Sequence, residues 1–225
     1  MKMNGSNTAR TGRLIIQASV LAAAAVWITG CDTVGYKKGD VVASNSEVAA
    51  AEVQTESRDL DATTKALNEL VNQPATDAKP QFQQFSKALE QLVASANRAG
   101  GISSRMLRKR NEYFHAWDQE ITTINDETIR KSSQDRKDAA SVQFDNASHQ
   151  FDEVQKNLQV LIGYLQDIRK ALSTDLTRQG LTSIQPSVNS ANEKARNLQT
   201  VLQQSAASLN AVSIQMSSFR VRGTQ

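Results

Sequence analysis

Nine consecutive seam positions in the second half of the chain are all apolar. They alternate in steps of three and four residues, so that five of them recur every seven residues between Phe144 and Leu172. Such a heptad stripe lies along one face of a long helix and is typical of helices that pack side by side. A stripe this narrow is not stable alone in water and has to face similar stripes. The nine residues are Phe144, Ala147, Phe151, Val154, Leu158, Leu161, Leu165, Ile168 and Leu172.

Turn signals divide the chain into predicted helices on both sides of this stripe. The first helix covers about 44–72 and ends at Asn72-Gln73-Pro74, because proline cannot continue the hydrogen-bond ladder. The second begins near Pro80, a residue suited to a first turn. The third follows an N-cap at Asn125-Asp126 and covers 126–173, which corresponds to ~70 Å at the helical rise. Three long helices are therefore predicted up to residue 173.

A fourth helix follows a stop at Gly180, has Pro186 in its first turn and keeps the same rhythm to Phe219. Short connections make consecutive helices antiparallel neighbours. The sequence therefore predicts an all-α fold, an elongated antiparallel bundle of three to four long helices with left-handed, coiled-coil-like heptad seams. A self-associating parallel coiled coil is the rival interpretation. Looser packing is expected in the first helix, whose seam contains Ser46, Glu56 and Thr63.

The pair Gly100-Gly101 falls in the middle of the second predicted helix. Each glycine weakens a helix by ~1 kcal/mol relative to alanine, which suggests a break. The apolar rhythm nevertheless keeps its phase on both sides of the pair. We therefore expect a kink or local unwinding here in preference to a domain boundary. Arg110 falls on the seam beyond the pair, where its long side chain is expected to extend towards solvent.

The first thirty residues have the pattern of a secretory signal. Three bases and no acids precede an apolar core of 14 residues, which is shorter than the ~20 that a membrane span needs. Ile28-Thr29-Gly30-Cys31 resembles the bacterial lipobox, in which the cysteine receives diacylglycerol, the leader is removed and the new amine is acylated. Ordinary secretion and an uncleaved anchor are the alternatives. Asp32 resembles the sorting aspartate that retains lipoproteins in the inner membrane.

These signals predict the organisation and location of the mature chain. Residues 1–30 form the removed leader, 31–43 a lipidated tether, 44–219 the bundle and 220–225 a frayed tail. The protein is expected to be lipid-anchored and to face the periplasm, with the inner membrane favoured over the outer membrane. Loss of the three leader bases leaves 23 bases against 23 acids, so the positive charge of the precursor does not indicate a nucleic-acid partner.

No combination of residues in the sequence points to catalysis, to a metal or to a cofactor. His115 and His149, the only histidines, fall on the solvent side of the seams, and no inward-facing Glu-x-x-His motif accompanies them. Neither a phosphate-binding loop nor a serine elbow is present. We therefore expect that the protein is not an enzyme.

Two clusters remain as candidate contact sites. Arg105, Arg108 and Lys109 could contact anionic lipid headgroups, peptidoglycan or an acidic partner. The alternative is a solvated helix face, with Glu112 four residues after Arg108. The aromatic segment 113–117 is interpreted as core packing near the end of a hairpin, with a partner-binding groove as the alternative.

Several motifs together resemble a family of uncharacterised bacterial envelope lipoproteins. They are Tyr113-Phe114-x-x-Trp117-x-x-Glu120-Ile121, Ile129-Arg130-x-Ser132 and Leu165-x-Asp167-Ile168-Arg169-x-x-Leu172-x-x-x-Leu176. The resemblance covers about 40–219, and the glycine pair in the second helix departs from it. It implies a small, lipid-anchored, helical or coiled-coil protein with a domain-of-unknown-function label and no assigned catalytic or binding residues.

The sequence thus favours a non-enzymatic helical interaction or spacer module in the cell envelope. It would be held in the membrane by the diacylglyceryl and N-acyl groups of Cys31 and would bind an envelope protein. The alternative is an accessory subunit that modulates an envelope enzyme or transporter. A lipid- or ligand-carrying bundle is a third possibility, and it requires a cavity near Trp117 or the glycine pair.

Overall fold

The computed structural model of the chain describes residues 35–218 and contains four long helices in this part. They are α1 (Gly35–Asn72), α2 (Lys79–Thr123), α3 (Glu127–Thr174) and α4 (Arg178–Met216). The predicted all-α fold is confirmed. The predicted leader, Cys31, Asp32 and the tail 220–225 lie outside the described residues.

Consecutive helices run antiparallel, as their side-chain contacts show. Arg98 of α2 pairs with Glu52 of α1, while Gln81, earlier in α2, donates to the carbonyl of Glu69, later in α1. The same reversal relates α3 to α2 and α4 to α1. Each helix packs against two others, and α1 and α3 lie diagonally opposite each other, as do α2 and α4.

The heptad stripe of α3 forms one quarter of the core. All nine of its residues are at most 3% exposed. Upstream of the stripe, polar contacts hold α3 to α2. The indole Nε1 of Trp117 donates to Ser133 Oγ at 3.0 Å, and Lys137 pairs with Asp118. These contacts add to the apolar packing of Ile121, which is buried near the α2–α3 turn.

The N-terminus of α1 lies earlier than predicted. The helix begins at Gly35, so the predicted tether of 31–43 is wrong from residue 35 onwards. Gly39 is buried where α1 meets α2 and α4. A Cβ at this position would lie 3.0 Å from the Met216 carbonyl oxygen and 3.4 Å from the Tyr113 ring. Gly39 therefore permits α1 to pack closely against α2 and α4.

Polar residues in the seam of α1 and the glycine pair of α2 are both accommodated within continuous helices. We expected looser packing in α1 at Ser46, Glu56 and Thr63. All three side chains are 0% exposed, so solvent does not reach the seam at these positions. The hydroxyls of Ser46 and Thr63 donate to carbonyls four residues earlier, which satisfies them within α1. In α2 the helix continues without interruption through Gly100-Gly101. The expected absence of a domain boundary is confirmed, and local unwinding is not observed.

The corner between α3 and α4 also differs from the prediction. Gly180 was interpreted as a stop, but it lies in the first turn of α4, behind the N-cap Thr177. A Cβ on Gly180 would come within 2.3 Å of the Asp175 carbonyl oxygen, so this corner requires glycine. Pro186 consequently lies inside α4 and not in its first turn.

Candidate functional site

The predicted basic cluster lies on the outer surface of α2 beside the first turns of α1. Because Arg98 pairs with Glu52, Arg105 lies one heptad further along α2, level with Asn45 of α1. Lys109 binds Glu112 at 2.7 Å. Arg105 and Arg108 form no ion pair or hydrogen bond with any of residues 35–218. Glu112 therefore forms its ion pair with Lys109, while the charge of Arg108 also acts on its carboxylate, as the solvated-face interpretation assumes.

Residues of α1 extend this cluster into a mixed surface. Val41 and Val48 are 43% and 44% exposed on the side of α1 that faces α2. The hydrogen bond from Lys109 holds the pKa of Glu112 below its ordinary value, and the charges of Lys109, Arg108 and Lys38 lower it further. The charge of Lys38 therefore contributes to the positive potential around Glu112. We call the set Lys38, Val41, Val48, Arg105, Arg108 and Lys109 the basic α1–α2 surface.

Arg110 does not belong to this surface, although it is adjacent in sequence. Its Nη2 donates to Ser141 Oγ at 2.6 Å and to Asp145 Oδ2 at 2.7 Å on α3. Its guanidinium also lies 4.9 Å from the centre of the Phe114 ring. The side chain is partly exposed, which agrees with the expected route towards solvent, and it ties α2 to α3.

The aromatic segment 113–117 packs inside the bundle, as its core interpretation predicted. Phe114 is buried, and the rings of Tyr113 and Trp117 lie 5.2 Å and 6.3 Å from it. His115 and the distant His149 are exposed, as expected.

A groove of about 600 Å³ runs between α2 and α3. It is lined by Phe82, Ser86, Glu90, Gln166, Asp167, Arg169, Lys170 and Ser173.

A buried carboxyl group at the centre of the bundle was missed as a site in the sequence. Glu56 is 0% exposed, and its Oε2 accepts a hydrogen bond of 2.8 Å from Gln155 Nε2. This bond crosses the core between the diagonal helices α1 and α3. Burial raises the pKa of Glu56 to about 7 and the Glu52 charge adds to this, whereas the Gln155 bond and Arg98 oppose it. The sequence does contain a signal for this buried acid: Glu56 occupies a heptad position, three residues after Val53 and four before Leu60.

The hydrogen bonding around Glu56 is incomplete when the carboxyl is ionised. Glu56 Oε1 and Gln155 Oε1 both lack a partner among the described residues. Both atoms are acceptors in that state, and leaving such buried atoms unpaired is costly. When Glu56 is protonated, its carboxyl O–H becomes a donor, and Gln155 Oε1 can accept from it. The arrangement therefore suits the neutral acid.

A third surface lies between α3 and α4 and is almost uncharged. Val142, Val160, Val201 and Ile214 are exposed along it, Val160 by 72%. The residues that line its two grooves are aliphatic, amide or hydroxyl side chains apart from Lys194. We call this the neutral α3–α4 surface.

Among residues 35–218, no three His, Cys, Asp or Glu side chains are placed to hold a metal ion. In the same part of the chain, no helix is long and apolar enough to cross a membrane. The predicted lipidation and sorting residues, Cys31 and Asp32, precede it.

Comparison with known proteins identifies a family without an assigned activity. No curated protein and no solved structure matches the chain. A family model described as "Protein of unknown function (DUF2959)" matches residues 27–216, which include all four helices. The chain therefore belongs to the DUF2959 family of proteins of unknown function.

Proposed function

We propose that this protein is a lipid-anchored, non-enzymatic helical module that binds or spaces components of the bacterial cell envelope. The observation that carries the proposal is the position of Cys31, directly after a leader-like apolar segment and four residues before the helix that starts at Gly35. An acylated cysteine with several chains holds a protein firmly to a bilayer. The rigid bundle then begins almost at the anchor.

The short connection limits how far the bundle can move from the bilayer. Four residues span at most ~14 Å when fully extended. The 38 residues of α1 extend ~57 Å from that point at the helical rise. A lipidated chain would thus carry a stiff body whose base stays next to the headgroups. This geometry suits a spacer or a module that meets a partner in the same membrane.

The chemistry of the interior supports a role without catalysis. The buried polar side chains of the described residues are one carboxyl, Glu56, and the hydroxyls of Ser46, Thr63, Ser95, Ser148, Ser205 and Ser213. The side-chain partner of Glu56 is the amide of Gln155, which neither takes up nor releases a proton at ordinary pH. A nucleophile with an adjacent base, the usual minimum for covalent catalysis, is not assembled among them.

The anchor is tested by replacing Cys31 with serine and fractionating cells. We expect wild type in the membrane fraction with incorporated palmitate, and Cys31→Ser without palmitate. Thr33→Ser is the matched control, because it makes a similar change two residues later and keeps the cysteine. Unchanged palmitate incorporation in Cys31→Ser would refute the lipid anchor. In a separate arm, Asp32→Ser should move the protein towards the outer membrane if Asp32 is the retention signal.

An accessory subunit of an envelope enzyme or transporter is the second candidate. The neutral α3–α4 surface favours it, because exposed aliphatic side chains without charges are typical of protein contacts. A photocrosslinking amino acid at Val160 should then trap one dominant envelope protein. The same amino acid at Ala62, exposed on α1, is the control. Many weak products at Val160, or equal products at both sites, would count against a dedicated subunit.

A further inference from the structure

Two cations of the basic α1–α2 surface form no ion pair with residues 35–218. Elsewhere on the bundle, interhelical ion pairs neutralise Arg98, Arg110 and Lys137. Arg105 and Arg108 form no such pair, and Lys38 adds a third charge; Glu112 is within the influence of Arg108 and Lys38 but forms its ion pair with Lys109. Unpaired cations at one level of a bundle create a local positive field although the mature chain is nearly neutral.

Exposed aliphatic side chains lie at the same level as these cations. The helix register places Val41 opposite Lys109, and Val48 one turn beyond Asn45 and Arg105. A surface that combines bases with aliphatic groups is the chemistry by which helices bind the interface of an anionic bilayer. Proteins also bind mixed surfaces of this kind, so it is the position of the surface next to the proposed anchor that favours a lipid.

The position of the surface brings it within reach of the bilayer if Cys31 is lipidated. Asn45 is ten residues into α1, which is ~15 Å from Gly35 at the helical rise. The connection from Cys31 adds at most ~14 Å. The surface is therefore close enough to touch headgroups when the bundle inclines towards its α1–α2 side.

The α2–α3 turn would meet the bilayer first if the helices stood perpendicular to the membrane. Because Lys38 is level with Glu112, α2 continues about eight residues, or ~12 Å, beyond the level of Gly35. The segment 118–138 around this turn contains six acids and four bases. Anionic headgroups would repel its net negative charge while attracting the basic α1–α2 surface.

We propose that the basic α1–α2 surface binds the anionic phospholipid surface and inclines the anchored bundle onto its α1–α2 side. This inference rests on the lipid anchor proposed above. Because Lys109 is paired with Glu112, Arg105 and Arg108 supply most of the attraction, and together they should favour an anionic over a neutral bilayer by ~30-fold at low salt, and less as salt rises.

The experiment uses the full, lipidated protein with a nitroxide label on one introduced cysteine. Cys31 is the only native cysteine, and its thiol is unavailable once lipidated, so the introduced residue is labelled alone. The test site is Asn45→Cys on α1, which is level with Arg105 and lies one turn from both Val41 and Val48. The control site is Gln204→Cys on α4, diagonally across the bundle. Protein is reconstituted in neutral phosphatidylcholine vesicles and in vesicles with ~30% phosphatidylglycerol, a content high enough to give a negative surface potential.

We expect the label at Asn45 to lose accessibility to a water-soluble relaxant in anionic vesicles only, and the label at Gln204 to stay accessible in both. The triple variant Arg105→Gln, Arg108→Gln, Lys109→Gln should abolish the protection. Arg105→Lys with Arg108→Lys should retain it, and circular dichroism checks that all variants are folded. Equal accessibility at Asn45 in both vesicles, with the protein still bound, would overturn the inference. If the anchor itself is wrong, Cys31 will also take up label and the protein will not float with neutral vesicles.

Discussion

Glu56 makes the stability of the bundle depend on pH in a direction that can be worked out. Its pKa lies at about 7 in the folded chain, against an ordinary value of 4.5. The folded state therefore holds this proton more tightly than the unfolded state, so stability falls as pH rises from 4.5 to 7. Above pH 7 both states are ionised and this contribution stays constant. A difference of about 2.5 pH units corresponds to about 3 kcal/mol.

The substitution Glu56→Gln isolates this effect. Glutamine keeps the shape and can accept from Gln155 Nε2, and its own amide can donate to Gln155 Oε1. The variant should match wild type at pH 4.5 and be more stable by up to about 3 kcal/mol at pH 8. Urea unfolding followed by circular dichroism at several pH values measures the difference. Taking the difference between variant and wild type cancels the other titrating groups.

Glu153→Gln is the matched control on the surface. The hydrogen bond from Lys156 holds the pKa of Glu153 below its ordinary value, so its contribution has the opposite sign and is lost as pH falls. Its side chain is also partly exposed, which keeps the effect small. A free-energy difference between wild type and Glu56→Gln that does not change between pH 4.5 and 8 would refute the reasoning about the buried acid.

The remaining predictions concern packing and glycine. Leu158→Ala should lower the free energy of unfolding by about 2–5 kcal/mol, because the leucine is 0% exposed. Val160→Ala should change it by less than about 0.5 kcal/mol, because this valine is 72% exposed. Similar costs for both variants in urea unfolding would contradict the core assignment. Gly100→Ala and Gly101→Ala should each raise thermal stability by up to about 1 kcal/mol, since an added Cβ meets nothing within 4 Å at either site. Gly180→Ala should do the reverse because its Cβ would collide with Asp175, and a melting temperature at or above wild type would show that this corner can relax.

The four-helix architecture could be predicted because its signals are local. The stripe from Phe144 to Leu172 repeats every seven residues, and the turns are marked by Pro74, Pro80 and the capping residue Asp126, whose carboxylate accepts from the Ile129 amide at 2.9 Å. The heptad period and the capping residues can both be recognised within a few residues of sequence. They are therefore enough to predict long helices, their approximate ends and the faces that pack together.

The error about the tether arose because distant residues decide the local structure. In the sequence, Gly35 and Gly39 look like part of a tether. In the structure, the Tyr113 ring and the Met216 carbonyl lie so close to Gly39 that a larger residue has little room there. Gly180 was misread for a local reason: glycine is typical of helix ends, but here the Thr177 side chain accepts from the Gly180 backbone N–H and caps the helix that contains it.

The candidate sites were only partly visible in the sequence. Arg105, Arg108 and Lys109 were recognised by charge, but their neighbours Val41 and Val48 come from another helix and follow only from the register. Glu56 was noticed as a weak seam position, and its partner Gln155 is 99 residues away. No local pattern predicts such a bond across the diagonal of the bundle.

The most direct test of the central claim is the mass of the N-terminal peptide of protein purified from membranes. Tryptic cleavage after Lys37 would release residues 31–37 from a processed chain. Lipidation predicts that this peptide begins at Cys31 and carries one diacylglyceryl and one N-acyl group. An unmodified Cys31 within a longer N-terminal peptide, or a mature chain that starts elsewhere, would contradict the proposed anchor.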